Sequence, residues 1–142
     1  MTVEENLQMG GFIRKDDISK TIEEVYELFP ILYEKRKQLA EQLSGGQRQQ
    51  VAFGRAMMTR PSVMLLDEPT AGVSPIVMDE IFSNILDVRN AGMAVLMVEQ
   101  NAQQALNIAD KGYVLVSGRN EHTGTGKELI NDLEVRKKFL GG

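Results

Sequence analysis

The spacing of hydrophobic positions changes character once along the chain, near Pro61. Before that point it is helical. Ile22, Val25, Tyr26 and Phe29 recur on one helical face after Asp17 and Ser19, either of which can cap the helix, and Pro30 ends the run. A second helix starts at Ser44. Ser44 and Gln47 make an S-x-x-Q capping box, and Val51, Ala52, Arg55 and Ala56 carry the period up to Arg60-Pro61.

After Pro61, short apolar runs alternate with amphipathic stretches. Val63 to Leu66 is a continuous apolar run ending in two carboxylates, the pattern of a buried parallel strand. Ser74-Pro75 opens a helix as cap and first turn, Val77, Ile81, Ile85, Leu86 and Val88 supply its inner face, and Gly92 suits its stop. Ala94 to Val98 predicts a second buried strand, Ala102 to Ala109 a helix, and Tyr113 to Val116 a third strand ending at Ser117-Gly118. The single histidine, His122, falls in a Gly- and Thr-rich stretch that predicts a surface loop. Thr125 and Glu128 form a last capping box, which starts a terminal helix pair reaching Leu140. The alternation predicts an α/β fold with a parallel sheet, preceded by a helical segment.

Bulk properties narrow the function classes. The 142 residues suffice for one ordinary domain, with 42% hydrophobic and 25% charged residues, a globular rather than a disordered composition. A net charge of −4 gives no electrostatic reason to expect a nucleic-acid partner. Without cysteine there are no disulfides and no thiolate metal sites. No apolar run approaches the roughly 18 residues of a membrane span. The first residues carry no basic segment followed by an apolar one, so no signal peptide is expected. These features predict a cytosolic, mildly acidic domain.

Two stretches carry candidate chemistry. Leu43-Ser44-Gly45-Gly46-Gln47 feeds a Ser-Gly-Gly turn into a helix start. The glycines let backbone N–H groups approach an anion without side-chain obstruction, and the helix end adds partial positive charge. Taken alone, the same pattern is also that of an ordinary capped helix. The second stretch places Asp67 and Glu68 at the C-terminal end of the first strand, where ligands of open α/β sheets bind. One carboxylate can hold Mg2+, partly through water, and the other can orient or deprotonate an attacking water. Taken alone, an Asp-Glu pair at a solvated turn is common. Here Pro69 follows at once, and the Ser-Gly-Gly helix lies one element upstream.

Leu43 to Gln50, then Gly54-Arg55-Ala56, then Leu65-Leu66-Asp67-Glu68-Pro69-Thr70 resemble, in order and spacing, the signature helix and Walker B strand of ABC ATPases. Thr2 to Leu7, Glu99-Gln100-Asn101-Ala102 and the ending Phe139-Leu140-Gly141-Gly142 resemble one branch, the second ATPase subunit of bacterial branched-chain amino-acid importers. The resemblance implies a partial P-loop NTPase (RecA-like) core with parallel strands, preceded by the ABC α-helical subdomain. Its parts would be residues 1–60, the helical subdomain, and residues 61–142, the C-terminal part of the ATPase core. ATP and Mg2+ are the implied ligands. In such proteins ATP lies between two subunits. By that analogy Ser44, Gly45 and Gly46 would contact the γ-phosphate of a nucleotide held by a second ATPase subunit, with Gln47 shaping the loop. Asp67 would assist Mg2+ binding and Glu68 would act as general base. Ala71 to Ser74 would occupy the position of the D-loop, which passes signals across the dimer. Gln100 stands where the family usually has a histidine. The importer branch accepts Gln there, although a neutral amide cannot act as an acid or base.

The resemblance further implies a cytoplasmic protein, peripheral to the inner face of the cell membrane, with integral membrane permease subunits as partners. No G-x-x-x-x-G-K-S/T loop is present. Gly124-Thr125-Gly126-Lys127 fails, because Glu128 stands in place of Ser or Thr and Glu121 in place of the first Gly. The family's P-loop, adenine-stacking aromatic and Q-loop glutamine would then lie upstream of Met1. The chain by itself is therefore expected neither to bind ATP tightly nor to hydrolyse it. In the family the P-loop strand lies between the Ala94–Val98 and Tyr113–Val116 strands, so a chain without it is expected to carry unpaired strand edges and to self-associate. Two other readings compete: an ABC ATPase serving another substrate, and a truncated interaction module without ATPase activity of its own.

Overall fold

The computed structural model describes residues 1–140; Gly141 and Gly142 of the C-terminal string lie outside the described residues. The chain forms two compact units. One comprises Met1–Leu66 with Ala71–Met97, and the other Asp67–Thr70 with the chain from Val98 onward.

The first unit opens with helix α1 (Val3–Gly10). The Thr2 hydroxyl accepts from the Glu5 N–H, and the Glu5 carboxylate accepts in return from the Thr2 N–H at 2.7 Å. This helix buries only Val3 and Leu7, too narrow a stripe to stand out as periodicity. Helix α2 (Ser19–Leu28) has Ile18 at its N-cap with no side-chain cap bond. Asp17, one residue earlier, supplies the first-turn acceptor, taking the N–H and the hydroxyl of Ser19 on its carboxylate. Pro30 ends α2 as expected, and it also starts the short helix α3 (Pro30–Glu34). A 3-10 turn at Ala40–Gln42 leads to helix α4 (Gly45–Met57).

Phe29 and Phe53 stack at 6.4 Å in the core, among Leu7, Val25, Leu32 and Met58. Arg14 ties the edge of this layer together. Its guanidinium pairs with Asp16 and donates to the Thr21 hydroxyl (2.8 Å) and the Met58 carbonyl (2.9 Å). Helix α5 (Pro75–Asn90), capped by Ser74, buries Ile81, Phe82, Ile85 and Val88. Between α4 and α5 the Gln50 amide donates to Asn84 at 3.1 Å. Asn84 is buried, and neither its Nδ2 nor the Gln50 Oε1 has a hydrogen-bond partner.

Strands β1 (Val63–Asp67) and β2 (Ala94–Val98) form a two-stranded sheet. The Ala94 N–H donates to Ser62 O at one end and the Glu68 N–H to Val98 O at the other, so the strands run parallel. They are not buried on both faces as their composition predicts. Met64 is 4% exposed, whereas Leu65 is 72% and Leu96 58% exposed. An apolar run marks a strand that can be covered on both faces, but coverage depends on what packs there, and here one face stays open.

In the second unit, helix α6 (Ala102–Ile108) precedes β3 (Gly112–Val116) and β4 (Arg119–Gly124), which pair antiparallel as a separate two-stranded sheet. Ser117 (φ 48°) and Gly118 (φ 77°) make the two-residue turn between Val116 and its partner Arg119. The residues expected to form a loop are therefore a strand, and His122 lies opposite Val114 within it. Hairpin pairing overrides the turn-like composition of this stretch. Helices α7 (Gly126–Asn131), with the predicted Thr125–Glu128 box, and α8 (Leu133–Phe139) complete the unit. Leu106, Leu129 and Val135 form its core.

Gly54 of α4 tests the packing of the first unit. A Cβ there would stand 2.7 Å from Val25 Cγ1 and 2.9 Å from Leu7 Cδ2. Alanine gains about 1 kcal/mol of helix propensity over glycine. Overpacking of this kind costs about 1 to 3 kcal/mol. Gly54→Ala is expected to lower the denaturant midpoint of unfolding; a raised midpoint would mean that the layer yields freely.

Candidate functional site

The candidate residues fall into two groups. Ser44, Gly45, Gly46 and Gln47 start α4 in the first unit. The capping box forms as predicted, with the Gln47 N–H donating to Ser44 Oγ at 3.3 Å and the Ser44 N–H to Gln47 Oε1 at 3.2 Å. Gly46 is buried against Glu80 of α5, and a Cβ on it would lie 2.1 Å from Glu80 Oε2. Only the exposed, flexible end of the Glu80 side chain would have to move for such a Cβ, so packing alone does not demand glycine there. Ser44 is exposed and Gly45 half-exposed.

Asp67, Glu68 and Gln100 belong to the second unit, and two of them touch. The parallel pairing of β1 and β2 brings the turn after each strand to the same end, and Gln100 Nε2 donates to Glu68 Oε1 at 2.7 Å. Glu68 has φ 44°, a left-handed conformation that costs a non-glycine residue about 1 to 3 kcal/mol. Its N–H is held by Val98 O at 2.8 Å. Asp67 is exposed at the strand end. No group of three or more His, Asp or Glu side chains suited to a metal ion occurs among the described residues. A lone strand-end carboxylate still fits Mg2+, which takes one or two carboxylates, phosphate oxygens and water rather than an all-protein cage.

Behind this pair lies a network of Thr70, Glu99 and Asn101, which fall in the family-like strings but to which sequence reading gives no role. Thr70, only 2% exposed, donates its hydroxyl to Glu99 Oε2 at 2.8 Å and its N–H to the same oxygen at 3.3 Å. The other oxygen, Oε1, accepts from the N–H groups of Gln100 (2.8 Å) and Asn101 (3.1 Å) and from Asn101 Nδ2 (3.3 Å). Asn101 Nδ2 also donates to Thr70 Oγ1 at 2.8 Å. The one available signal was the polar triplet Glu99-Gln100-Asn101 directly after an apolar strand. Burial pushes the Glu99 carboxyl up, but hydrogen bonds from Asn101, Thr70 and Gln100 outweigh it and hold the group below its ordinary value.

Residues 1–71, half of the chain, match the ABC transporter family. The chain belongs to that family. It is 48% identical, over its whole length, to the high-affinity branched-chain amino acid transport ATP-binding protein BraG of Pseudomonas aeruginosa, and spans 61% of that protein. It is 40% identical over 99% of its length to the probable branched-chain amino acid transport ATP-binding protein LivF of Archaeoglobus fulgidus, again spanning 61% of the relative. Among solved structures, the ADP conformation of MJ1267, an ATP-binding cassette of an ABC transporter, matches the whole chain with a TM-score of 0.82 at 30% identity. The chain covers 63% of that structure. The fold of this ABC family member is accordingly part of a P-loop NTPase core with parallel strands and a preceding helical portion.

The depressed Glu99 carboxyl has a consequence for stability. A carboxyl held below its ordinary value of 4.5 in the folded state contributes stability that is fully present above that value and is lost as pH falls through the folded value. Glu99→Gln removes this linkage. The variant's deficit in unfolding free energy should therefore be largest near neutral pH and shrink in acid, as read from denaturant midpoints. A deficit that does not change with pH would show that Glu99 titrates at its ordinary value.

Proposed function

We propose that the chain is the signature-bearing part of an ATP-binding, ATP-hydrolysing subunit of an importer for branched-chain amino acids. The observation that carries this reading is the Glu68–Gln100 contact at the strand end, in a chain whose signature turn is also formed. Similarity to BraG and LivF along nearly the full chain supports the substrate class. The reading divides the protein as residues 1–60, the helical subdomain, and 61–142, the later part of the ATPase core.

Glu68 is the group that takes or polarises the proton of the attacking water, and the Gln100 amide fixes the orientation of its carboxylate. Asp67 would hold Mg2+, which supplies charge neutralisation to the phosphates when bound. The starting N–H groups of α4, with Ser44, bind the γ-phosphate of a nucleotide held by a second ATPase subunit. The assembled subunits dock on integral membrane permease subunits at the cytoplasmic face of the membrane. No helix among the described residues is long and apolar enough to cross a membrane, which suits an attached rather than a spanning subunit.

Three measurements test this. The 142-residue chain is expected to show no micromolar ATP binding by calorimetry, because no residues in it make a phosphate-gripping loop. In a subunit that also carries such a loop, Glu68→Gln should cut ATP turnover by about a hundredfold or more, while nucleotide-dependent dimerisation persists. Unchanged turnover would remove Glu68 from this role. Uptake of labelled leucine, isoleucine and valine that is unaffected by loss of the gene would remove the substrate assignment.

A further inference from the structure

We infer that Glu99 is the positioning residue of the strand-end site: its carboxylate clasps the turn after β1 to the turn after β2 and thereby seats the Gln100 amide on Glu68. The inference rests on reading Glu68 and Gln100 as the reacting end of the site.

Glu99 works through acceptor geometry. One oxygen collects both donors of Thr70, in the turn after β1, and the other collects Gln100, Asn101 and the Asn101 amide, in the turn after β2. An ionised carboxylate is acceptor-only on both oxygens, which matches this one-sided crowd of donors. Glutamine has nearly the same shape but turns one of those oxygens into an NH2 group facing N–H and O–H donors. The clasp requires the charge, not the size.

Gln100 cannot be seated by Glu68 alone. Both side chains lie at an exposed position, where a single hydrogen bond between mobile groups is worth little net free energy. The Gln100 backbone, however, is fixed by its N–H to Glu99 Oε1, one residue from the contact. On the other side Glu68 is held in its left-handed conformation, two residues before Thr70. Thr70 is buried and bonded on both its N–H and its hydroxyl. Each partner of the contact is thus anchored close by, and both anchors end on the same carboxylate. Asn101 links the two sides once more through Thr70 Oγ1.

The test follows the side-chain amide of Gln100 by NMR in the isotope-labelled full chain, without nucleotide. Glu68→Ala removes the acceptor and marks where an unseated amide resonates. Glu99→Gln is expected to move the Gln100 amide to that same position and to quicken its exchange with water about fivefold, the size of one lost hydrogen bond. Methyl signals of the Leu106 and Leu129 core should stay in place. Thr70→Val, which removes the hydroxyl at nearly constant shape, should shift the amide part of the way. Thr70→Ser, which keeps the hydroxyl, should restore it. An unmoved Gln100 amide in Glu99→Gln overturns the inference, as does a Thr70→Ser shift equal to that of Thr70→Val. If Glu99→Gln does not fold, the Thr70 pair decides alone. Because no nucleotide is present, an unmoved amide removes the clasp and leaves the ATPase reading standing, and a failure of that reading in turnover or uptake does not alter the shifts expected here.

Discussion

The parallel pairing of β1 with β2 is the constraint from which the candidate site follows. Two strands that run the same way release their turns at the same end. With the Glu68 N–H on Val98 O as the last rung, Glu68 comes to lie beside the polar triplet that follows the other strand. The pairing brings Glu68 and Gln100 within reach of each other, and the hydrogen bonds around Glu99 lie directly behind them. Antiparallel pairing would have put those turns at opposite ends of the sheet.

Much of this was legible in the sequence, and the reasons differ by element. The capping boxes at Ser44–Gln47 and Thr125–Glu128 rest on local chemistry that any helix start would use, and both form. The strand ends at Asp67 and Val98 are marked by the switch from apolar to polar residues, so the two turns were visible before their meeting was. Less legible was the clasp behind them. Thr70, Glu99 and Asn101 are ordinary polar residues near turns, and only the pairing of distant strands reveals that one carboxylate serves them all.

The hairpin shows the opposite limit. Residues 119–124 have a composition suited to a loop, yet they form β4, because β3 supplies a partner ladder and Ser117-Gly118 supplies a turn of the matching hand. A bulge between Val114 and Leu115 shifts the register partway along, so alternation of polar and apolar residues in β4 carries no simple message. The open face of the β1–β2 sheet likewise lay beyond composition. A run of Val, Met and Leu reports that burial is favourable, not which side receives it.

The Gln50–Asn84 contact bears on how the helix that starts at Ser44 can move. Apolar side chains slide past one another by small steps at little cost, but an amide pair across the seam has one position in which its hydrogen bond forms. Helices α4 and α5 are keyed at that point, so displacement at the Ser44 end would carry α5 along with it. Because half of each amide has no partner even at rest, the key holds alignment more than it adds strength.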